Sequence, residues 1–205
     1  MDPKGAATVR AYHNERISRF GIASAKSLGW RDESAQRQRF KQISQIGNLN
    51  GKTILDVGCG HGDLFSFISE IYPRLNYCGL DQEEAFLEVA LKRYGRKSNT
   101  KFLFGDFESV SLPKHDYLIC SGGLNYRTSD NRHIFKMISK FFRACRLGLG
   151  LNILKSVDFE NGILVPYSES QIMKYCKKLT SKLVLKESEN QNNFTLFLYL
   201  SLIHI

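Results

Sequence analysis

The stretch Lys52-Thr53-Ile54-Leu55-Asp56-Val57-Gly58-Cys59-Gly60-His61-Gly62-Asp63-Leu64 decides the fold. Its aliphatic, β-branched start from Thr53 to Val57 has the character of a strand buried on both faces. Gly58, Gly60 and Gly62 end that run, and Leu64, Phe65, Phe67, Ile68 and Ile71 then recur at helical spacing behind Asp63. A strand, a glycine turn and a helix in that order form a ligand cradle. Glycine leaves no Cβ over the turn, so a ligand can approach the backbone, and the helix start presents N–H groups that lack intrahelical partners.

The side chains around the turn limit the ligand. A dinucleotide fingerprint places its third glycine where this chain has Asp63. Asp56 and Asp63 put two carboxylates beside the turn, which repels a pyrophosphate and favours a cation. The run Asp56-Val57-Gly58-Cys59-Gly60-His61-Gly62 resembles motif I of the class I S-adenosylmethionine-dependent methyltransferases, here of the small single-domain bacterial type. Their cofactor carries a sulfonium and an ammonium and no phosphate. The resemblance implies a three-layer α/β sandwich: a mostly parallel seven-stranded sheet, its last strand antiparallel, with helices on both faces and an N-terminal helical cap.

Downstream, Asn76 to Leu80 reads as a second strand ending at Asp81, about 20 positions past the glycine turn, the reach of a carboxylate that accepts both ribose hydroxyls. A helix cap before Glu83 and Glu84 is the other reading of Asp81, and the two roles are compatible. After an amphipathic helix from Glu83 to Tyr94, Lys101 to Phe104 reads as a third strand closed by Gly105-Asp106-Phe107. In the family pattern an acidic residue here accepts from the adenine amino group and an apolar neighbour covers the ring; aspartate after glycine is also common in plain turns. The resemblance thus assigns the cofactor Asp56, Gly58, Cys59, Gly60, Asp63, Asp81, Gln82, Asp106, Phe107 and Ser121. Asp56, Asp81 and Asp106 are each expected at the end of a strand.

The fourth strand, Tyr117 to Cys120, leads into Ser121-Gly122-Gly123-Leu124-Asn125-Tyr126-Arg127, which should line the transfer site because open α/β sheets bind ligands beyond their strands' carboxyl ends. The loop lacks the Asn/Asp-Pro-Pro-aromatic motif of enzymes that methylate exocyclic base amines, and the Pro-Cys of those that add to cytosine. Asn125, Tyr126, His133, Tyr12 and His13 are the candidates for orienting or deprotonating an acceptor. His61, in the glycine turn, reads as a cofactor-side or exposed residue rather than a base. Isolated histidines and already assigned carboxylates support no metal site. Lys155 alone matches the lysine-aspartate-lysine-glutamate set of ribose 2′-O-methyltransferases.

Further along, Ile134, Met137, Ile138, Phe141 and Phe142 form a helical stripe with Arg143 and Arg146 near its end, before a fifth strand from Gly150 to Leu154. Asn152 inside that strand needs a partner and could reach the loop after the fourth strand. Val157 to Pro166 is an apolar connection whose Phe159, Ile163, Leu164 and Val165 should pack near the substrate entrance. A helix from Ser168 to Leu179 and a terminal hairpin, Lys182 to Lys186 with Phe194 to Leu200, complete the chain.

Composition sets the outer bounds. The chain of 205 residues fits one structural unit, read as a helical cap over 1–50 and a methyltransferase domain over 51–205. No apolar run approaches a membrane span and the start lacks a secretory segment, so a cytoplasmic protein is expected, a monomer or homodimer. The net charge of +9 is spread among acidic residues without an arginine-rich run or an RNA-binding aromatic signature, which reads as a solvated surface. The five cysteines form no C-x-x-C pair, and Cys78 and Cys120 read as buried hydrophobes. The leading reading is methyl transfer from S-adenosylmethionine, giving S-adenosylhomocysteine, to a small-molecule acceptor, with O-, N- and C-methylation all open. An RNA methyltransferase using the basic surface and a cofactor-binding regulatory protein are the alternatives; a dinucleotide oxidoreductase is least favoured.

Overall fold

A computed structural model describes residues 3–157, 162–187 and 192–200. Seven strands form one sheet: β1 Thr53–Val57, β2 Asn76–Asp81, β3 Thr100–Phe104, β4 His115–Ser121, β5 Cys145–Leu154, β6 Leu183–Glu187 and β7 Asn193–Tyr199. Their order is β3-β2-β1-β4-β5-β7-β6, and β7 is antiparallel to both neighbours while the first five strands pair in parallel. The strand order reverses between β1 and β4, which opens a crevice beyond their carboxyl ends.

The helices are α1 Pro3–Phe20, α2 Glu33–Ile43, α3 Asp63–Ile71, α4 Glu84–Tyr94, α5 His133–Ala144 and α6 Glu169–Cys176. The alternation inside β1 assigns its faces, because successive strand residues point to opposite sides. Ile54 joins Phe40, Ile43, Leu64, Phe65 and Ile68 in the cluster under α2 and α3. Leu55 and Val57 join Ile134, Met137, Ile138 and Phe141 in the cluster under α5. The expected stripe of α5 is therefore a core stripe, each fully buried side chain contributing roughly 1.5–3 kcal/mol. Within the first fifty residues, α2 is packed into the sandwich through Phe40 and Ile43, whereas α1 lies across the mouth of the crevice.

Two boundaries differ from the sequence reading. β5 begins at Cys145, so Arg146 lies in a strand and not at a helix end. Gly148 and Gly150 look like turn residues but are packing requirements: a Cβ on Gly148 would stand 3.0 Å from Cδ1 of Tyr199, and one on Gly150 3.2 Å from Cδ1 of Ile46. The expected helix over 168–179 spans only Glu169–Cys176, with Ser168 at its N-cap. Cys78 and Cys120 are buried. Among the described residues no helix is long and apolar enough to cross a membrane.

Candidate active site

A cavity of about 1000 Å³ opens where β1, β2 and β4 end. Gly58 to Gly60, Asp81 to Glu83 and Ser121 to Gly123 form its floor; α1, residues 28–31 and α2 close the other side. Of the sequence-assigned residues, Asp56, Gly58, Cys59, Gly60, Asp63, Asp81, Gln82, Phe107, Ser121, Asn125, Tyr126, Tyr12 and His13 line it.

The glycine turn and the second strand are one hydrogen-bonded unit. Gly58 and Cys59 N–H donate to the Leu80 carbonyl, at 2.8 and 3.2 Å. Gly60 N–H donates to Asp81 Oδ2 at 2.8 Å, and Glu83 N–H to Oδ1 at 2.9 Å. Gly60 and Gly62 adopt the left-handed φ values of +53° and +74°, which favour glycine. Burial raises the pKa of Asp81, and the N–H groups of Glu83, Gly60 and Gln82 pull it back. An ionised carboxylate has roughly four acceptor sites, so each oxygen keeps capacity for a ligand donor. Asp81 is thus both the local turn former and an aimed acceptor.

Asp56 lies inside β1, behind the turn rather than at the strand's end. Its Oδ2 accepts from the Tyr77 hydroxyl at 2.5 Å. Burial, opposed by that bond, pushes its pKa up to about 7. Asp63 accepts from Arg93 Nη1 at 2.7 Å and from Gln36 Nε2 at 3.1 Å, which ties α3 to α4 and α2.

The loop after β4 is held from two directions. Asn125 Oδ1 accepts from Leu154 N–H at 3.0 Å and its Nδ2 donates to the Gly122 carbonyl at 3.2 Å, so this side chain positions the loop. Val165 N–H donates to the Asn125 carbonyl and Arg127 N–H to the Ile163 carbonyl, both at 2.8 Å. Ile163 and Leu164 line the cavity, as the apolar connection led us to expect; Phe159 falls outside the described residues. Asn152 finds its partner at this loop: Ser121 Oγ donates to Asn152 Oδ1 at 2.8 Å, and Asn152 Nδ2 donates to Thr195 Oγ1 at 2.6 Å.

Tyr126 meets His13 across the cavity, its hydroxyl 2.9 Å from Nε2. The Nδ1 atom of His13 lies 3.0 Å from the Ser27 carbonyl, which can only accept. The neutral ring therefore carries its proton on Nδ1, and its Nε2 lone pair accepts from Tyr126. Burial lowers the pKa of His13 against the opposing Ser27 bond, which keeps the ring neutral near pH 7, and burial also raises that of Tyr126. Rings of Tyr12, Phe86 and Tyr126 surround the imidazole edge-on at 5.0–5.6 Å. The result is a phenol hydroxyl hydrogen-bonded to a pre-oriented base.

Three residues singled out in the sequence lie outside the cavity lining. Asp106 is not among the residues lining the cavity; its oxygens accept from Glu108 N–H and Ser109 Oγ, at 2.9 and 2.8 Å, closing its own turn. His133 opens α5 away from the cavity lining, with Nε2 3.4 Å from Glu108 Oε1. His61 is neither exposed nor cofactor-side: it is fully buried, edge-on to Phe86, and burial lowers its pKa to about 4. Sequence reasoning missed Leu28, which covers the open side of Gly60 where an added Cβ would be 2.7 Å from its Cδ2. It also missed the Ser27 carbonyl, for which a backbone atom in a loop offers no sequence signal.

Residues 54–148 match the model of the methyltransferase domain family. The matched stretch runs from β1 into β5 and includes the glycine turn, Asp81 and the loop after β4. A stretch of 114 residues, 54% of this chain and 44% of the relative, is 30% identical to demethylmenaquinone methyltransferase of Lactococcus lactis subsp. lactis. A phthiotriol/phenolphthiotriol dimycocerosates methyltransferase of Mycobacterium leprae is 33% identical over 70 residues, 34% of this chain and 26% of that protein. The chain spans less than half the length of these curated relatives. The fold is shared with magnesium protoporphyrin IX methyltransferase from Synechocystis, solved with S-adenosylhomocysteine bound: TM-score 0.70 at 18% identity, covering 96% of this chain and 100% of that one. Another solved structure of that protein holds S-adenosylmethionine, with a TM-score of 0.64 at 19% identity, covering 81% of this chain and 79% of that one. The residues here fit that cofactor: the lining backbone of Gly58, an acceptor with spare capacity in Asp81, and the apolar ring of Phe107.

Proposed function

We propose that this protein methylates a small-molecule acceptor from S-adenosylmethionine, with Tyr126 and His13 receiving the acceptor's proton. The observation that carries this reading is the Tyr126–His13 hydrogen bond inside a cavity whose opposite wall is the Asp81-tied glycine turn. Gly58, Gly60, Asp81, Gln82 and Phe107 would hold the cofactor, and the carboxylates at that end favour its positive charge over a pyrophosphate. When bound, the cofactor supplies an activated methyl group, so alignment and exclusion of water are the main tasks left to the chain.

Tyr126 can accept a hydrogen bond from an acceptor X–H while donating its own proton to His13 Nε2. The proton that X loses goes to the Tyr126 oxygen, the tyrosine proton goes to Nε2, and Nδ1–H stays on the Ser27 carbonyl. Because burial disfavours the cationic ring, the imidazolium then loses its proton readily to solvent and is reset. The cavity lies at the upper end of the roughly 300–1,000 Å³ of small-ligand sites, room for a cofactor and a modest second molecule. The names of the curated relatives, which point to a quinone precursor and lipids, support a small acceptor.

Calorimetry with S-adenosylhomocysteine, followed by tritiated methyl incorporation into a panel of quinols, phenols, organic acids and total RNA, tests the proposal. Binding of the adenosyl ligand and label in a small molecule is the expected result. Tight NADH binding without any adenosyl response would overturn it, and label found only in RNA would reassign the acceptor.

A further inference from the structure

The charges around the cavity are segregated. Asp56, Asp63 and Asp81 stand at the glycine turn, whereas Arg16, Arg31, Arg39 and Lys41 stand at the side formed by α1, residues 28–31 and α2; Lys186 and Glu187, beyond α2, pair with Gln45 and Lys155. Asp63 is neutralised by Arg93 at 2.7 Å. Arg31 pairs with Asp32 at 3.0 Å, whereas Arg16 and Arg39 are different. Arg16 donates to the carbonyls of Lys26 and Trp30 and meets no carboxylate among the described residues. Arg39 is half-buried, and among the described residues its guanidinium meets only the ring of Trp30, 5.2 Å from the centroid.

Such a group is costly to leave as it is. Burial lowers the Arg39 pKa to about 10, still far above neutral pH, so a full charge stands half-buried in the cavity wall with no carboxylate partner among the described residues. The cation–π contact with Trp30 restrains the guanidinium and leaves its forked N–H donors free to bind an anion. A planar oxyanion is the group that this fork matches. The same Trp30 ring also reaches the transfer site: a Cβ on Gly122, in the loop after β4, would be 3.7 Å from its Cη2. A molecule against Trp30 thus touches Arg39 at one end and the loop carrying Tyr126 at the other.

We propose that Arg39 holds a carboxylate of the methyl acceptor, so that the acceptor is an organic acid whose apolar body lies along Trp30. The word acceptor rests on the methyl-transfer reading, but the anion site does not. The cofactor's sulfonium and ammonium then face the acidic end, and the carboxylate at the basic end is the acceptor's rather than the cofactor's own, so that weakening of S-adenosylhomocysteine by tenfold or more in Arg39→Gln overturns the assignment.

Trp30 is the single tryptophan of the chain, so its fluorescence reports on this site. The protein is titrated with benzoate, phenyl phosphate and benzamide, with and without S-adenosylhomocysteine, by fluorescence and by calorimetry. Benzoate should bind at least about tenfold tighter than isosteric benzamide. Arg39→Gln should abolish that preference, Arg39→Lys should keep part of it, and both should bind S-adenosylhomocysteine within about twofold of the unaltered protein. Benzamide matching benzoate, no benzoate response at all, or a preference that survives Arg39→Gln overturns the site. Tighter, Arg39-dependent binding of phenyl phosphate overturns the carboxylate assignment. Benzoate selectivity without any adenosyl binding would fail the methyl-transfer reading while leaving the anion site standing.

Discussion

At the glycine turn the groups that face the cavity are fixed by backbone: Gly60 and Glu83 N–H orient Asp81, and the Leu80 carbonyl holds Gly58 and Cys59. At the α1–α2 side the corresponding groups are side chains that hold one another: Tyr126 on His13, and Arg39 on Trp30. The first arrangement is dictated by chain geometry within thirty residues, so little in it can vary without breaking the turn. The second is held by side chains alone, Tyr126 and His13 from segments 113 positions apart and Arg39 and Trp30 from one, so each can change without breaking the turn. Replacements at the two ends should therefore separate cleanly.

Tyr126→Phe is the sharpest break. It removes the hydroxyl between acceptor and His13 and leaves the ring packing, so kcat/KM for the acceptor should fall by about 10²–10³-fold, within the range for a general base. S-adenosylhomocysteine affinity should stay within about twofold. The unaltered enzyme should also lose rate on acidification as His13 is protonated, with the limb below the ordinary 6.5 because burial lowers its pKa. That limb should vanish in Tyr126→Phe; an unchanged pH profile would remove His13 from the mechanism.

Asp81→Ala should do the reverse, weakening S-adenosylhomocysteine by about 10²-fold, since hydrogen bonds to an ionised acceptor contribute roughly 1.5–3 kcal/mol each, while benzoate still quenches or shifts Trp30 fluorescence. Loss of both responses would mean that the turn and the anion site are one cooperative unit, contrary to the separation argued above.

Asp56→Asn probes the donor end's foundation rather than its ligand. The folded protein holds Asp56 with a pKa of about 7 against an ordinary 3.8. Between those values the unfolded chain is ionised and the folded one still protonated, so Asp56 contributes a stability that is present in acid and is lost as pH rises towards 7. Over pH 5 to 7 this contribution should amount to about 2 kcal/mol. Urea melts of Asp56→Asn should match the unaltered protein near pH 4.5 and exceed it near pH 8; equal differences at both pH values would show that Asp56 does not titrate in this range.

The same division explains what could be read from sequence. The strand, glycine turn and helix of residues 53–71 were legible because periodicity and glycine placement are local. Asp81 was legible because the βαβ unit fixes its distance from the turn. Asp106 carried the same local signature, an aspartate after Gly105, yet its carboxylate closes its own turn; that choice depends on side-chain rotamers and not on spacing. Tyr12, His13 and Tyr126 were chosen for their chemistry, but their meeting, with 113 positions between His13 and Tyr126, follows only from α1 crossing the crevice. His133 had the same chemistry and a helix that takes it elsewhere. His61 was misread because an apolar ring, Phe86, rather than a ligand, occupies its side of the turn.

The smallest expected effect tests whether the two ends are as independent as the backbone suggests. A chain of polar side chains runs from Ser121 at the floor, through Asn152 and Thr195, to Gln42 on α2: the contacts are 2.8, 2.6 and 3.2 Å. Thr195 is fully buried, so Thr195→Val keeps the shape and leaves Asn152 Nδ2 without its acceptor. An unsatisfied buried donor costs about 1–2 kcal/mol, which for a chain of this size lowers Tm by about 3–6 °C. Because α2 also carries Arg39, a rigid link would transmit the change to both ligands. Independent ends predict that S-adenosylhomocysteine and benzoate affinities each shift by less than about threefold; a shift of tenfold or more in both would show that the Asn152 chain sets the spacing between the donor loop and the anion site.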